Sequence, residues 1–293
     1  MPETLAPLLP DDRGGTALPP MLLERSTGRV ALAFKRRGPV TTLAHLHQAG
    51  CGKARLPRPA TAGHAEAVLI NLAGGLTGGD RLDWRVTWHE GAAATVSGQA
   101  AEKIYRARGA STALIETELE VEPEATAFWL PQETILFDRA RLRRKNRFRV
   151  ARGGRLLAVE ATIMGRHAMG ETVRTGLLDE SVEVHHACRL LLAERQRYRG
   201  RIADLLAHPA VGRGAVALVS LLYVGDGAAT RLGAVREALG ESPAAATAPD
   251  PDLLLARWLA PSASGLRGHL VAALFALSSA LGLPWQLPRV WSC

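Results

Sequence analysis

Cysteine is scarce in this chain. Only Cys51, Cys188 and Cys293 occur, an odd number set far apart, so a disulfide framework is not expected and a reducing compartment is favoured. Long apolar runs are missing too. The longest, LVAALFALSSALGL from Leu270 to Leu283, carries two serines and is too short to span a bilayer. The opening MPETLAPLLPDDRGG lacks the basic start and apolar centre of a secretory signal. Together these absences predict a cytoplasmic protein with no membrane role. No CxxC, HExxH or nucleophile motif is present, although a triad assembles from distant positions and needs no local motif. No repeat of fixed period appears.

What is present is an ordinary globular balance. The 293 residues suffice for one large domain or two modest ones. Hydrophobic residues make up 47% and mean hydropathy is +0.02. Net charge is +8 and the isoelectric point about 10.1, which favours acidic partners: nucleic acid, an anionic membrane or an acidic protein.

Residues 1–25, rich in Pro, Gly and Asp, read as a flexible arm. From 26 to 202 the pattern has period two. In RLDWRVTWHEG, Leu82, Trp84, Val86 and Trp88 share one face. In ALIETELEVEPEA, Ile115, Thr117, Leu119 and Val121 alternate with four glutamates, and Pro123 ends the run. Gly153-Gly154 reads as a turn between two further strands. Strands at this spacing without helices predict antiparallel sheets in layers, or a coil of sheets.

Residues 203–293 change character into an α+β portion packed on the β-rich core as one continuous domain. VALVSLLYVG and DLLLARWLA read as strands. TRLGAVREALG reads as a short helix with Thr230 as N-cap and Gly240 past its end. SGLRGHLVAALFALSSALG reads as a longer helix opened by Ser262 or Ser264 and closed by Gly282 and Pro284. ESPAAATAPDPD, residues 241–252, reads as a linker.

The stretch NLAGGLTGGDRL, residues 71–82, tests for a nucleotide site. A phosphate loop needs GxxxxGK[ST], and Gly79 is followed by Asp80-Arg81. A dinucleotide loop needs a helix behind it to supply the anion site. Here the next segment alternates as a strand. The loop therefore reads as a strand connection rather than a GTP or ATP site. Its doubled glycines, Gly74, Gly75, Gly78 and Gly79, suggest close approach of another backbone, such as a partner chain.

Two clusters carry metal-ligating types: His185, His186 and Cys188 in EVHHACR, with His186 and Cys188 on one strand face, and a looser His45, His47 and Cys51. Neither has structural-zinc spacing, and polar strand residues are the ordinary reading. In RLRRKNRFRV, Arg141, Arg143, Lys145, Arg147 and Arg149 put five cations on one strand face. Such a ladder repels itself unless solvated or met by anions. It raises a basic, β-rich nucleic-acid-binding protein as the alternative function, but no stacking aromatics or helix-turn-helix, RRM or KH pattern supports it. Solvation or an acidic protein partner is the better reading.

LINLAGGLTGGDRL, GAAATVSGQAAEKIYRA, LPQETILF, LLAVEATIMGRHAMGE and the terminal LPRVW occur in order, and together they resemble the urease accessory protein family UreD, also called UreH. The resemblance implies a mainly β fold, layered and β-helical, with antiparallel and mixed strands and a small C-terminal helical (α+β) part. It implies a non-enzymatic maturation scaffold that binds apo-urease and UreF, and through UreF the GTPase UreG. No cofactor is expected to be tightly bound. Transient Ni²⁺ is the implied cargo, moving through the interior into urease.

The resemblance places two acidic residues on that path, Glu160 and Glu194. Each follows an apolar run, and a buried carboxylate needs a cation or donor: passing nickel, or an arginine such as Arg166 or Arg195. The family often has Asp where Glu160 stands. Lys103, Tyr105 and Arg106 match a Lys-x-Tyr-Arg element, preceded here by Glu102 where the family usually has Thr or Ser. With Gly74, Gly75, Thr77, Gly78, Gly79 and Asp80 they are the candidates to face a partner. Gly170-Glu171 matches a family turn.

Overall fold

The structure is a computed structural model that describes residues 24–59, 61–240, 244–283 and 287–291. The expected arm over residues 1–25 falls almost wholly outside them, as does Pro284. Two sheets face each other. The first, in spatial order, contains β14 (Arg189–Gly200), β13 (Gly176–His186), β11 (Arg141–Val150), β8 (Ala113–Val121), β5 (Arg81–Trp88), β1 (Thr27–Arg37) and β2 (Val40–Gly50). The second contains β16 (Ala244–Asp250), β17 (Leu253–Ala260), β15 (Ala217–Val224), β12 (Arg155–Met164), β9 (Thr126–Leu130), β6 (Ala93–Gly98), β4 (Ala65–Asn71) and β3 (Gly52–Arg55).

Between β4 and β13 the long strands alternate between the sheets: β4, β6, β9 and β12 in the second, β5, β8, β11 and β13 in the first. Strands that follow each other in the same sheet pair in parallel. The chain therefore coils, one rung per circuit, and antiparallel pairs flank the coil at its ends. The mainly β, mixed and coiled architecture expected from the sequence is observed.

Parity along each strand sets what lies between the sheets. Leu82, Val86 and Trp88 of β5, and Ile115, Leu119 and Val121 of β8, are buried there as the alternation predicts. Trp88 also satisfies its indole N–H on the Ala94 carbonyl at 2.9 Å. Covering such side chains stabilises the layers by roughly 25 cal/mol per Å² of apolar surface. A second core lies on the other face of the second sheet, where Trp258, Leu221 and Phe128 meet α2 (Leu232–Leu239) and α3 (Ala263–Ala280).

α3 begins where Ser262 Oγ accepts the Gly265 N–H at 3.2 Å, and Gly282 follows its end in a left-handed conformation (φ 63°). Leu266, Leu270, Ala273, Leu274 and Leu277 form its buried stripe.

Three expectations are corrected and one element is added. Ala244–Asp250, expected as linker, is an edge strand paired antiparallel with β17; its alanines lend themselves to a half-covered edge, and Pro249 sits at the register break. Thr230 does not cap α2. A 3-10 turn over Ala228–Arg231 precedes the helix, and the Thr230 hydroxyl bonds Gly227 O at 2.7 Å. Gly153-Gly154 is not a hairpin turn, because it carries the chain from one sheet to the other; the 71–82 loop joins β4 to β5, the strand connection that the sequence predicts. A short helix, α1 (Ile202–Ala207), was not anticipated.

The 71–82 loop does meet another backbone, but it belongs to the same chain. A Cβ on Gly78 would lie 2.4 Å from Ser111 O, and one on Gly75 would lie 2.8 Å from Lys103 O. Asp80 ties the loop internally: its carboxylate accepts the N–H of Thr77 at 2.7 Å and of Ser26 at 2.9 Å.

Candidate functional site

The motif segments converge at one end of the coil. β7 (Glu102–Ile104), β10 (Thr134–Leu136) and the end of β12 form a short parallel stack. Leu76 of the glycine loop bridges to Ile104 beside it, and Thr77 Oγ1 donates to Arg106 O at 3.0 Å. Tyr105 donates its hydroxyl to Gly74 O at 3.0 Å and packs edge-on against Phe137. The Arg166 guanidinium lies 4.1 Å from the centre of the same ring and pairs with Glu171 at 2.8 Å. The motifs are thus successive rungs of one stack, which explains their spacing.

The terminal segment docks on that stack. Trp291 donates to Leu130 O at 3.1 Å, and Gln132 donates to Val290 O at 2.9 Å. Arg267 of α3 clamps the junction, binding Glu133 at 2.8 Å, Gln132 at 2.9 Å and Trp291 O at 3.1 Å.

Behind this end a polar seam runs between the sheets. A cavity of about 240 Å³ is lined by Asn71, Gln99, Glu102, Gln132, Arg144 and Glu160 among others. A smaller one of about 50 Å³ shares Arg144 and Glu160 and continues past Asn146 and Glu180 to Glu194 and Arg257. Both predicted acids, Glu160 and Glu194, therefore line one cavity.

Their partners differ from those expected. Glu160 pairs with Arg144 at 2.8 Å and accepts the Trp129 indole N–H at 3.1 Å. Glu194 pairs with Arg257 and accepts from Gln196 at 3.2 Å. Arg166 and Arg195 are engaged elsewhere, with Glu171 and Asp179. Burial pushes the Glu160 carboxyl up, against the pull of the Arg144 charge. Burial also pushes Glu102 up to about 7, opposed by the 2.9 Å hydrogen bond from Asn71.

Arg144, Asn146 and Glu180 are seam residues that sequence reasoning missed. A signal for Arg144 existed: it stands on the inward parity of β11, with Leu142, Asn146 and Phe148, opposite to the five outward cations. A cation on the apolar parity needs buried counter-charges.

The histidine clusters do not assemble as read. β13 ends at His186, and Ala187 and Cys188 turn the hairpin with positive φ. Cys188 is therefore exposed while His186 is buried. His186 instead meets Asp226 at 2.7 Å and Asp252 at 3.9 Å, with its other nitrogen 3.2 Å from Val150 O. Among the described residues this is the one group of three ligand side chains close enough to hold an ion, and its hydrogen bonds are satisfied within it. His185 lies outside it, and His45 and His47 are exposed on β2. The turns GDG and DPD that supply Asp226 and Asp252 bear no sequence relation to His186.

A sequence model of the family described as UreD urease accessory protein matches residues 26–292. A protein of Rhizobium leguminosarum bv. viciae named urease accessory protein UreD is 43% identical over 269 residues, covering 92% of this chain and 96% of its own length. Proteins of the same name from Chelativorans sp. and Agrobacterium fabrum are 40% and 38% identical, each over 93% of this chain.

Proposed function

The chain belongs to the UreD urease accessory protein family, and from that membership we propose that it is a scaffold of urease maturation that binds apo-urease and UreF, and through UreF the GTPase UreG, and passes nickel along its interior. Its role in urease maturation follows from the family, which implies an assembly factor rather than a catalyst. The single observation that carries the nickel reading is the seam: Glu160 and Glu194 line one cavity, and Glu160 also borders the larger one. Carboxylate and amide oxygens bind Ni²⁺ more weakly than thiolate or imidazole sets, as transit requires. Nucleotide chemistry belongs to the GTPase partner, since the glycine loop is filled by contacts of its own chain. The protein works in the cytoplasm, without tightly bound cofactor.

The motif end is the partner-facing surface. Leu72, Tyr105 and Met169 stand exposed on its converging segments, beside the exposed cations Lys103 and Arg106. Apolar side chains grouped at a rim of charge suit a protein interface.

Two measurements test this reading. The tagged chain, made in cells with all components, is expected to recover UreF and apo-urease; recovery of neither, with both folded, sinks the scaffold role. Glu160→Ala and Glu194→Ala are expected to leave that assembly intact and to lower urease nickel by about tenfold, read by elemental analysis. Normal nickel loading in both variants removes the interior path.

A further inference from the structure

Arg144 stands where the two cavities meet. Its guanidinium is buried and reaches across both sheets. One terminal nitrogen binds Glu160 at 2.8 Å and Thr134 at 2.9 Å. The other binds Glu180 and, at 2.9 Å, Thr162. Among the described residues, Arg144 and Glu160 are the only lining residues common to the two cavities.

This placement is not explained by stability. A buried arginine between carboxylates loses most of its attraction to desolvation, and apolar side chains of similar volume hold sheets together at least as well. The arrangement is also unsatisfied. Arg144 Nε and Asn146 Oδ1 are both buried without a partner, in residues only 5% and 4% exposed. One guanidinium faces two carboxyl groups.

Without the guanidinium, the side chains around that point offer oxygen donors: the carboxylates of Glu160 and Glu180, the hydroxyls of Thr134 and Thr162, and the free carbonyl of Asn146 beside Glu160. A divalent cation takes such donors and neutralises both carboxylates. We propose that Arg144 is a built-in competitor for a divalent-cation site formed by Glu160, Glu180 and Asn146, and that it closes the passage between the cavities until an incoming cation displaces it. This rests on the interior nickel path proposed above and adds its control: the same oxygens hold the arginine at rest and the ion in transit. Such a plug keeps the resting site from trapping stray cations.

The test is Ni²⁺ binding by the full chain, followed by titration and by the shift in unfolding temperature, with circular dichroism to check folding. Arg144→Met is expected to bind a single Ni²⁺ about tenfold or more tightly than the parent, and to be stabilised by it. Adding Glu180→Gln to that variant is expected to abolish the gain. A folded Arg144→Met chain that binds Ni²⁺ no better than the parent overturns the proposal, as does a gain that survives Glu180→Gln. If Arg144→Met does not fold without metal, folding rescued by Ni²⁺ supports the proposal. If Ni²⁺ does not rescue it, Arg144→Lys decides, because it keeps the charge and loses the fork that spans both carboxylates: tighter Ni²⁺ binding supports the plug, and unchanged binding overturns it. The plug and the maturation role fail separately. A gain in Ni²⁺ affinity in the isolated variant stands even if the parent chain does not load urease, and normal loading stands even if the variant gains nothing.

Discussion

Glu102 shows how a single half-buried side chain writes a pH dependence into this fold. Its carboxyl accepts one hydrogen bond, from Asn71, and burial pushes it up to about 7 from an ordinary 4.5. Between those values the unfolded chain has lost the proton that the folded chain keeps. Stability therefore falls as pH rises through about 4.5 to 7, by on the order of 3 kcal/mol in all. Glu102→Gln is expected to flatten that slope and to be the more stable chain above pH 7, as read by urea unfolding at a series of pH values. Equal slopes in parent and variant would refute the assignment. His64 works in the opposite sense: burial lowers it to about 4, so its contribution is lost on acidification, and comparison with the parent isolates Glu102. At this scale the sequence was partly legible. Glu160 and Glu194 could be named because they match the acidic positions that the family resemblance implies, and they do line one cavity. Their arginine partners could not, because Arg144 and Arg257 reach them from different strands. Cys188 was misplaced because the strand parity that joined it to His186 ends two residues before it.

Among elements, the terminal segment depends most on one side chain. Arg267 from α3 holds Glu133, Gln132 and the Trp291 carbonyl together, and its guanidinium lies 5.3 Å from the centre of the Trp291 ring. Glu133 is buried, so truncating Arg267 leaves a carboxylate without its cation. Arg267→Ala is expected to destabilise the chain by about 3 kcal/mol and to speed proteolysis near residue 287. Arg267→Lys, which keeps the charge but not the fork, should fall between. A melting profile unchanged in Arg267→Ala would contradict the clamp. Element identity was readable wherever periodicity was long: β5, β8 and α3 lie where alternation or the helical stripe put them. Pairing was not readable. Whether a glycine turn folds a strand back on itself or sends it to the facing sheet depends on the whole circuit, so Gly153-Gly154 looked like a hairpin turn. Residues 244–250 were misjudged because their strand character comes from pairing with β17 rather than from propensity.

At the scale of the whole molecule, a net charge of +8 conceals extensive charge pairing on the outer face of the first sheet. The cations of β11 stand between two acidic strands in parallel register. Lys145 lies beside Glu116, Arg147 beside Glu118 and Glu183, and Arg143 beside Asp179. The side chains meet: Lys145–Glu116 at 3.1 Å, Arg147–Glu118 and Arg147–Glu183 at 3.3 Å, and Arg143–Asp179 at 3.5 Å. β5 extends the lattice through Arg85–Glu118 at 3.3 Å. Three of the five ladder cations, Arg143, Lys145 and Arg147, thus meet anions of neighbouring strands, which weakens the observation that favoured nucleic acid. Each exposed pair contributes little stability, but the set reduces the field that phosphates would follow. The parent chain is expected to show no salt-sensitive retention of DNA or RNA at about 0.15 M salt. Glu116→Gln/Glu118→Gln/Glu183→Gln unmasks Arg85, Lys145 and Arg147 without touching the seam. It should gain retention that weakens steeply as salt is raised. Binding by the parent with the same salt slope would show that the lattice does not mask these cations.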